Sequence, residues 1–269
     1  MKLVAFRRSP RRRPSLSAVA AAAAAAVLLS AGCTASTEPH SPATTRAPAT
    51  TGGPATSSTT PPPTPTPTTP PARFLSFGDS GPAVLSLQRR LSALGYWLGT
   101  ADGRFGYTTL QAVYALQKAA GLARDGVVGP ATRGALDRRV VPHPRSTAGR
   151  VIEIDLGTDL LMLVDNGKLV AALNTSTGGG YVYVDQGVTA VARTPVGSFS
   201  IYRQVDGLVV SSLGELWRPK YFYSGYAIHG SPSVPPYPAS HGCVRLSNAA
   251  IDWIWAADLA PTGSEVSVY

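Results

Sequence analysis

The chain has 269 residues, with 24 lysines and arginines against 15 aspartates and glutamates, a formal charge of +9. Six of the basic residues (Lys2, Arg7, Arg8, Arg11, Arg12 and Arg13) precede Cys33 with no acidic residue among them, so the remainder carries only +3. That remainder has no concentrated positive face of the kind that grips DNA or RNA, so no nucleic-acid partner is expected, and the length allows one large domain or two modest ones.

Residues 1–32 read as an export signal. An arginine-rich start leads into an apolar run over 18–29, too short and alanine-rich to span a bilayer but of the right length for a signal-peptide core. The run ends in Leu29-Ser30-Ala31-Gly32-Cys33, which resembles a lipobox, where the cysteine is lipidated and becomes the mature N-terminus. Ser30 departs from the leucine that is commoner there. An ordinary signal peptide cleaved nearby is the plainer alternative, and Arg12-Arg13 leaves twin-arginine export open. The expected location is the outer face of the cytoplasmic membrane, the periplasm or the wall, with a lipid on Cys33 as the membrane attachment. Cys33 and Cys243 are the two cysteines of the chain. With Cys33 lipidated no intramolecular disulfide is possible, and a lone thiol kept in an exported protein points to a reactive role.

Residues 33–72 are almost wholly Thr, Pro, Ala, Ser and Gly, which cannot bury enough apolar surface to fold. Their prolines favour extended polyproline II, so the segment suits a tether reaching on the order of 100 Å from a membrane. Residues 73–140 change character. Asp79-Ser80-Gly81-Pro82 starts a helix with proline near its first position, Val84, Leu87, Leu91 and Leu94 follow at helical spacing, and Gly95 closes it. A second helix begins near Thr108, with Leu110, Val113, Tyr114 and Leu116 as its stripe, and a third begins near Pro130. Asp102-Gly103-Arg104-Phe105-Gly106 recurs as Asp125-Gly126-Val127-Val128-Gly129, each a glycine-rich turn feeding a helix start. Together with Leu87-Gln88-Arg89-Arg90-Leu91 this resembles the small three-helix peptidoglycan-binding domain of many wall enzymes, which implies glycan or stem peptide as its partner; a plain helical spacer is the alternative.

After a linker over 141–149, residues 150–269 turn β-rich. Ile152, Ile154 and Leu156 alternate with Glu153 and Asp155, and Asp165-Asn166-Gly167-Lys168 is a strong hairpin signal between residues 160–164 and 169–173. Further strands are expected over 199–203, 221–228 and 266–269. One helix carries Ile251, Ile254 and Trp255, capped by Ser247 or Asn248. The fold class predicted is multidomain α plus β: a small three-helix domain, then a mainly antiparallel β-sandwich-like domain with one helix after Cys243.

The chemistry gathers in Tyr226-Ala227-Ile228-His229-Gly230 and Ser240-His241-Gly242-Cys243-Val244-Arg245. Amide chemistry on a cysteine needs an ionisable thiol, a histidine to take and return a proton, and donors facing the developing oxyanion. Cys243 lies in a glycine-flanked turn, and His229 and His241 compete for the proton-transfer role. These runs resemble the signature of YkuD-type L,D-transpeptidases, as do Thr194-Pro195-Val196-Gly197-Ser198-Phe199 and Ser176-Thr177-Gly178-Gly179. The resemblance implies that Cys243 attacks the third-residue carbonyl of a tetrapeptide stem, D-Ala leaves, and another stem's amine takes the acyl group from the thioester. It implies His229 as the base, with Ser240 and His241 shaping the turn. The backbone N–H groups of His241, Gly242 and Cys243 would form the oxyanion hole. Arg245 would hold a substrate carboxylate, and Ser240, Gly230 and Tyr226 are further candidates for substrate contact. Family members are generally acylated by carbapenems. No cofactor or metal is expected, although His229, His241 and Cys243 are of the type that binds zinc. Hydrolysis of the same thioester, or a wall-binding protein without catalysis, are the other readings; Trp217 is a candidate flap residue over the cleft, and oligomeric state is open.

Overall fold

The computed structural model describes residues 74–269. The export signal, the tether and Cys33 lie outside the described residues.

Three helices come first: α1 (Pro82–Ala93), α2 (Tyr107–Ala119) and α3 (Pro130–Asp137). Pro82 and Pro130 each open a helix, where a missing N–H costs nothing, and the chain leaves α1 through Gly95 at φ 86° and α2 through Gly121 at φ 63°. The internal repeat has a physical cause. In the first copy the buried Gln88 amide donates to Asp102 Oδ1, the Arg104 carbonyl and Thr109 Oγ1, while its oxygen accepts from Gly103 N–H. In the second, Gln117 donates to Asp125 Oδ1, the Val127 carbonyl and Thr132 Oγ1 and accepts from Gly126 N–H. Each Asp-Gly turn thus wraps one buried amide, ties it to the threonine in the first turn of the following helix, and gives partners to both the oxygen and the nitrogen of that amide.

The β domain holds two five-stranded sheets and a separate hairpin. The first sheet has β1 (Arg150–Asp155), β2 (Leu160–Asp165), β3 (Lys168–Asn174), β6 (Gly197–Ser200) and β12 (Glu265–Val268), in the order β3-β2-β1-β12-β6, with β1 and β12 parallel. Asn166 and Gly167 both take positive φ, 49° and 76°, in the two-residue turn that joins β2 to β3, as the sequence predicted. The second sheet has β7 (Arg203–Gln204), β8 (Leu208–Ser211), β9 (Gly214–Tyr223), β10 (Tyr226–Ser231) and β11 (Val244–Ser247); β10 and β11 run parallel. The hairpin is β4 (Val182–Asp185) with β5 (Val188–Val191). Helix α4 (Asn248–Ala256) follows β11, and Ser247, not Asn248, caps it by accepting from Ala250 N–H.

Two strand expectations need correction. The run 221–228 is two strands meeting at a tight turn, because Ser224 at φ 46° folds β9 back onto β10. The run 199–203 breaks at Ile201 and Tyr202, where the chain passes from the first sheet to the second.

The β domain's core lies between the two sheets and α4, with Ile154, Leu161 and Val266 on one side and Ile228, Val244, Leu246 and Ile251 on the other. The helical core is continuous with the back of the first sheet, for it includes Leu160 and Ala172 beside Leu91, Tyr96 and Leu116. This explains the burial of α2. Gln111, Gln117 and Lys118 are buried, whereas Leu110 and Tyr114 of the expected stripe are only partly so, since one side of α2 faces α1 and α3 and the other faces β3. The segment after α1 also pairs with β3 as an added strand: Ala172 N–H donates to the Gly95 carbonyl at 2.8 Å and Trp97 N–H to the Ala172 carbonyl at 3.1 Å. Trp97 then stacks on Trp253 of α4, with centroids 5.4 Å apart.

Candidate active site

A cleft of about 670 Å³ opens on the second sheet. The two-residue period of strands decides what faces it. In the parallel pair β10–β11, Ile228 sits opposite Val244 and both enter the core, while His229 sits opposite Arg245 and both face the cleft. Cys243, two residues before Arg245, returns to the cleft side, as does Ser231 two residues after His229. Cleft-lining residues come also from β4 (Tyr183, Asp185) and from the β8–β9 hairpin (Val209, Glu215 and Leu216).

His229 is only 4% exposed. Its Nδ1 lies 2.9 Å from the Gly230 carbonyl. A carbonyl only accepts, so Nδ1 carries the hydrogen and Nε2 keeps its lone pair. Burial pushes the imidazole down to about 4, with Arg245 acting in the same direction and the Gly230 carbonyl against it. Burial likewise pushes the Cys243 thiol up, opposed by the Ala227 N–H and by Arg245. Both groups therefore rest uncharged at neutral pH, a thiol and a neutral imidazole lining one cleft.

The turn that presents Cys243 is tightly braced. Ser240, 1% exposed, donates its hydroxyl to the Cys243 carbonyl at 2.6 Å and accepts from Gly242 N–H at 3.0 Å. Gly242 sits at φ 133°, and a Cβ there would fall 2.5 Å from Tyr226 Cε1 and 2.7 Å from the Arg193 carbonyl. Thr194 Oγ1 donates to the Gly242 carbonyl at 2.8 Å and accepts from Gly178 N–H at 3.0 Å. Ser176 exchanges backbone hydrogen bonds with Arg245. The three separated motifs of the sequence thus meet on one turn.

Several expectations change. The Gly242 N–H is taken by Ser240, so it does not point at an oxyanion. Ser240 spends its hydroxyl inside the turn, in keeping with a shaping role rather than substrate contact. Gly230 faces away from the cleft: its Cβ position would meet Ile251 at 2.7 Å and Trp217 at 2.9 Å, so its carbonyl, not its open face, bears on His229. Tyr226 does line the cleft and packs on Gly242. His241 also lines it, with its ring set edge-on to Tyr183 and Tyr181 at 4.7 and 5.5 Å. Trp217 is no flap. It packs on the core and donates Nε1–H to Asp252 at 2.8 Å. Among the described residues no three His, Cys, Asp or Glu side chains gather to hold a metal ion. Sequence reasoning missed Thr194 as a brace of the turn, and Tyr183, Asp185 and Glu215 as cleft walls; of these, Thr194 alone carried a signal, its place in a recognised motif.

Comparison with known proteins accords with this geometry. Residues 149–268 match the L,D-transpeptidase catalytic domain family, YkuD, and residues 80–136 match the putative peptidoglycan binding domain family. An L,D-transpeptidase of Xylanimonas cellulosilytica is 51% identical with a TM-score of 0.72, over 76% of this chain and 100% of that one. The N-acetylmuramoyl-L-alanine amidase CwlL of Bacillus licheniformis is 53% identical over 64 residues, and a probable N-acetylmuramoyl-L-alanine amidase of the same species is 38% identical over 119. These matches cover 23% and 42% of this chain, and the chain spans only 18% and 32% of the two amidases, so their activity is not carried over. One matched family is named for L,D-transpeptidation and the other for peptidoglycan binding. A cleft lined by a thiol and an imidazole, the family match over the β domain and the half-identical solved relative agree: the chain belongs to the L,D-transpeptidase family.

Proposed function

We propose that the chain forms 3–3 cross-links between peptidoglycan stems, through a thioester on Cys243. The observation that supports this best is that His229 on β10 and Cys243, in the turn that leads into the parallel β11, line the same cleft, with the His229 tautomer set by the Gly230 carbonyl. As a tetrapeptide stem binds, His229 Nε2 takes the thiol proton and Cys243 Sγ attacks the carbonyl of the third residue, usually meso-diaminopimelate. The C–N bond to the terminal D-Ala breaks, and His229 returns the proton to the leaving amine. The side-chain amine of a second stem then attacks the thioester carbonyl, gives its proton to His229, and the thiol re-forms. Because both groups rest uncharged, the ion pair arises only during reaction. With the Gly242 N–H engaged by Ser240, the N–H groups of His241 and Cys243 are the donors assigned to the oxyanion. Arg245, beside His229, is assigned to a substrate carboxylate, and Tyr226 to the cleft wall.

In the same reading residues 1–32 are an export signal, Cys33 carries lipid, 33–72 are a tether, 73–140 bind the wall, 141–149 link, and 150–269 catalyse. Incubation of the protein with purified disaccharide-tetrapeptide tests the central claim. Released D-Ala, a dimeric product and an acyl-enzyme mass, all lost in Cys243→Ala, are expected. Tripeptide without dimer would replace transpeptidation by hydrolysis, and turnover that survives Cys243→Ala would remove the thioester.

A further inference from the structure

The chain between His229 and Cys243 is built so that it cannot hold itself. Residues 232–239 contain Pro232, Pro235, Pro236 and Pro238, which supply no N–H groups. The bonds within this stretch are local ones, between the Ser231 hydroxyl and Ser233. Its middle is held from two sides, by the helical domain and by the β domain, where the Ser176 hydroxyl donates to the Tyr237 carbonyl at 2.8 Å. Val234 N–H donates to Tyr107 Oη at 2.9 Å. The Val234 carbonyl accepts from Gln111 Nε2 at 3.1 Å, and from Asn174 Nδ2 at 3.3 Å. Asn174 Nδ2 also donates to Gln111 Oε1 at 2.6 Å, so the β3 amide and the α2 amide form one unit around this peptide. The Pro236 carbonyl accepts from Arg124, just beyond α2, at 3.1 Å. Gln111, Asn174 and Val234 are 5%, 3% and 2% exposed, so the bonds among these three lie where water does not compete for them, while those of Tyr107 and Arg124 lie at the edge of the joint.

A second track reaches the same turn. Lys118 of α2 bonds Asp159, Asp159 Oδ1 accepts from Thr177 N–H and hydroxyl, and the Thr177 carbonyl accepts from Ala239 and Ser240 N–H. Ser240 in turn braces Cys243.

We propose that Tyr107, Gln111 and Arg124 of the helical domain are positioning residues for the cleft: they fix the proline-rich loop and so set Cys243 against His229. The inference rests on the catalytic reading of those two residues. It makes the wall-binding domain part of the active-site scaffold as well as a targeting device. A displacement of about 1 Å at a reacting centre can cost on the order of a hundredfold in rate, so modest slack in this loop is enough to be read in turnover.

Tyr107→Phe and Gln111→Met, singly and combined in the full chain, test it. Both keep the apolar volume and delete the helical domain's bonds to Val234, leaving the one from Asn174. Four readouts are needed: kcat and KM on disaccharide-tetrapeptide, the pH profile of Cys243 alkylation by iodoacetamide, melting temperature, and retention on purified sacculi. The combined variant is expected to lose roughly tenfold or more in kcat with KM within about twofold. Its alkylation profile should shift along the pH axis, and sacculus binding should stay as in the parent. Unchanged kcat and an unchanged alkylation profile beside a lowered melting temperature would overturn the proposal and leave these bonds as mere supports of the fold. If the parent enzyme itself turns over no tetrapeptide, the catalytic reading fails. The alkylation profile still decides whether the helical domain controls the surroundings of Cys243.

Discussion

Replacing Lys118 with methionine probes the joint between the helical and β domains. The Lys118 side chain is 0% exposed and that of Asp159 1%. The ammonium donates to the Asp159 carbonyl at 2.7 Å, the Thr175 carbonyl at 2.8 Å and Asp159 Oδ2 at 3.3 Å, which uses all three of its hydrogens. Methionine keeps the apolar stem and removes every donor. Asp159 would keep its bonds from Thr177, but its charge would stay buried with no counter-ion. Deleting one member of such a pair costs about 3–5 kcal/mol. For a body of this size each kcal/mol lowers the melting temperature by about 2–4 °C, so Lys118→Met should melt roughly 6–20 °C below the parent. Lys118→Met/Asp159→Asn removes the stranded charge and leaves an amide oxygen for Thr177, so it should recover more than half of that loss. Calorimetry and urea unfolding at pH 7 measure both. A loss under about 1 kcal/mol, the worth of an exposed pair, or a double variant no better than the single one, would refute the reasoning.

Two further outcomes follow from the structure. Gly242→Ala should lower D-Ala release by roughly a hundredfold or more, because the new methyl would have to displace Tyr226 or the Arg193 carbonyl and shift the turn; a D-Ala assay checks it. Lys220, 1% exposed beneath Trp255, is pushed down to about 8 by burial, so its folded value lies below its unfolded one. Its charged form therefore weakens the fold below pH 8, and the penalty is relieved as pH rises from 8 towards 10.5. The stability of the parent relative to Lys220→Met should climb across that window by at most about 3 kcal/mol, and a flat difference in urea titrations at pH 7, 8.5 and 10 would contradict the burial argument.

The elements legible in the sequence were those marked by local chemistry. Pro82 and Pro130 at helix starts, Gly95 at a helix end and Asn166-Gly167 between β2 and β3 each solve a backbone problem with a recognisable residue. The β4–β5 hairpin went unseen because Gln186 takes the left-handed position, at φ 48°, without the short polar side chain that usually advertises it. Its Val182, Val184 and Val188 stay exposed, so no buried alternation betrays the strands. The site was legible as a set of residues but not as an arrangement. Motif recognition gathered His229, His241, Cys243 and Arg245. Only the register of β10 against β11 separates His229, which faces the cleft, from Gly230, which faces the core. The docking of the helical domain was hidden for a different reason. Gln111 and Lys118 are polar residues outside the apolar stripe read for α2, and their burial depends on β3 and the loop after β10, both distant in sequence.

The pairing of residues 95–97 with β3 carries a consequence for how such enzymes can be dismantled. β3 ends its sheet, and Gly95 and Trp97 occupy the hydrogen-bonding groups of Ala172 that would otherwise face outward. A fragment trimmed to the catalytic half would bare that strand together with Leu160 and Ala172, and present an open template to any other extended chain. Recombination that carries this β half alone into a new gene would therefore have to supply another cover for that strand.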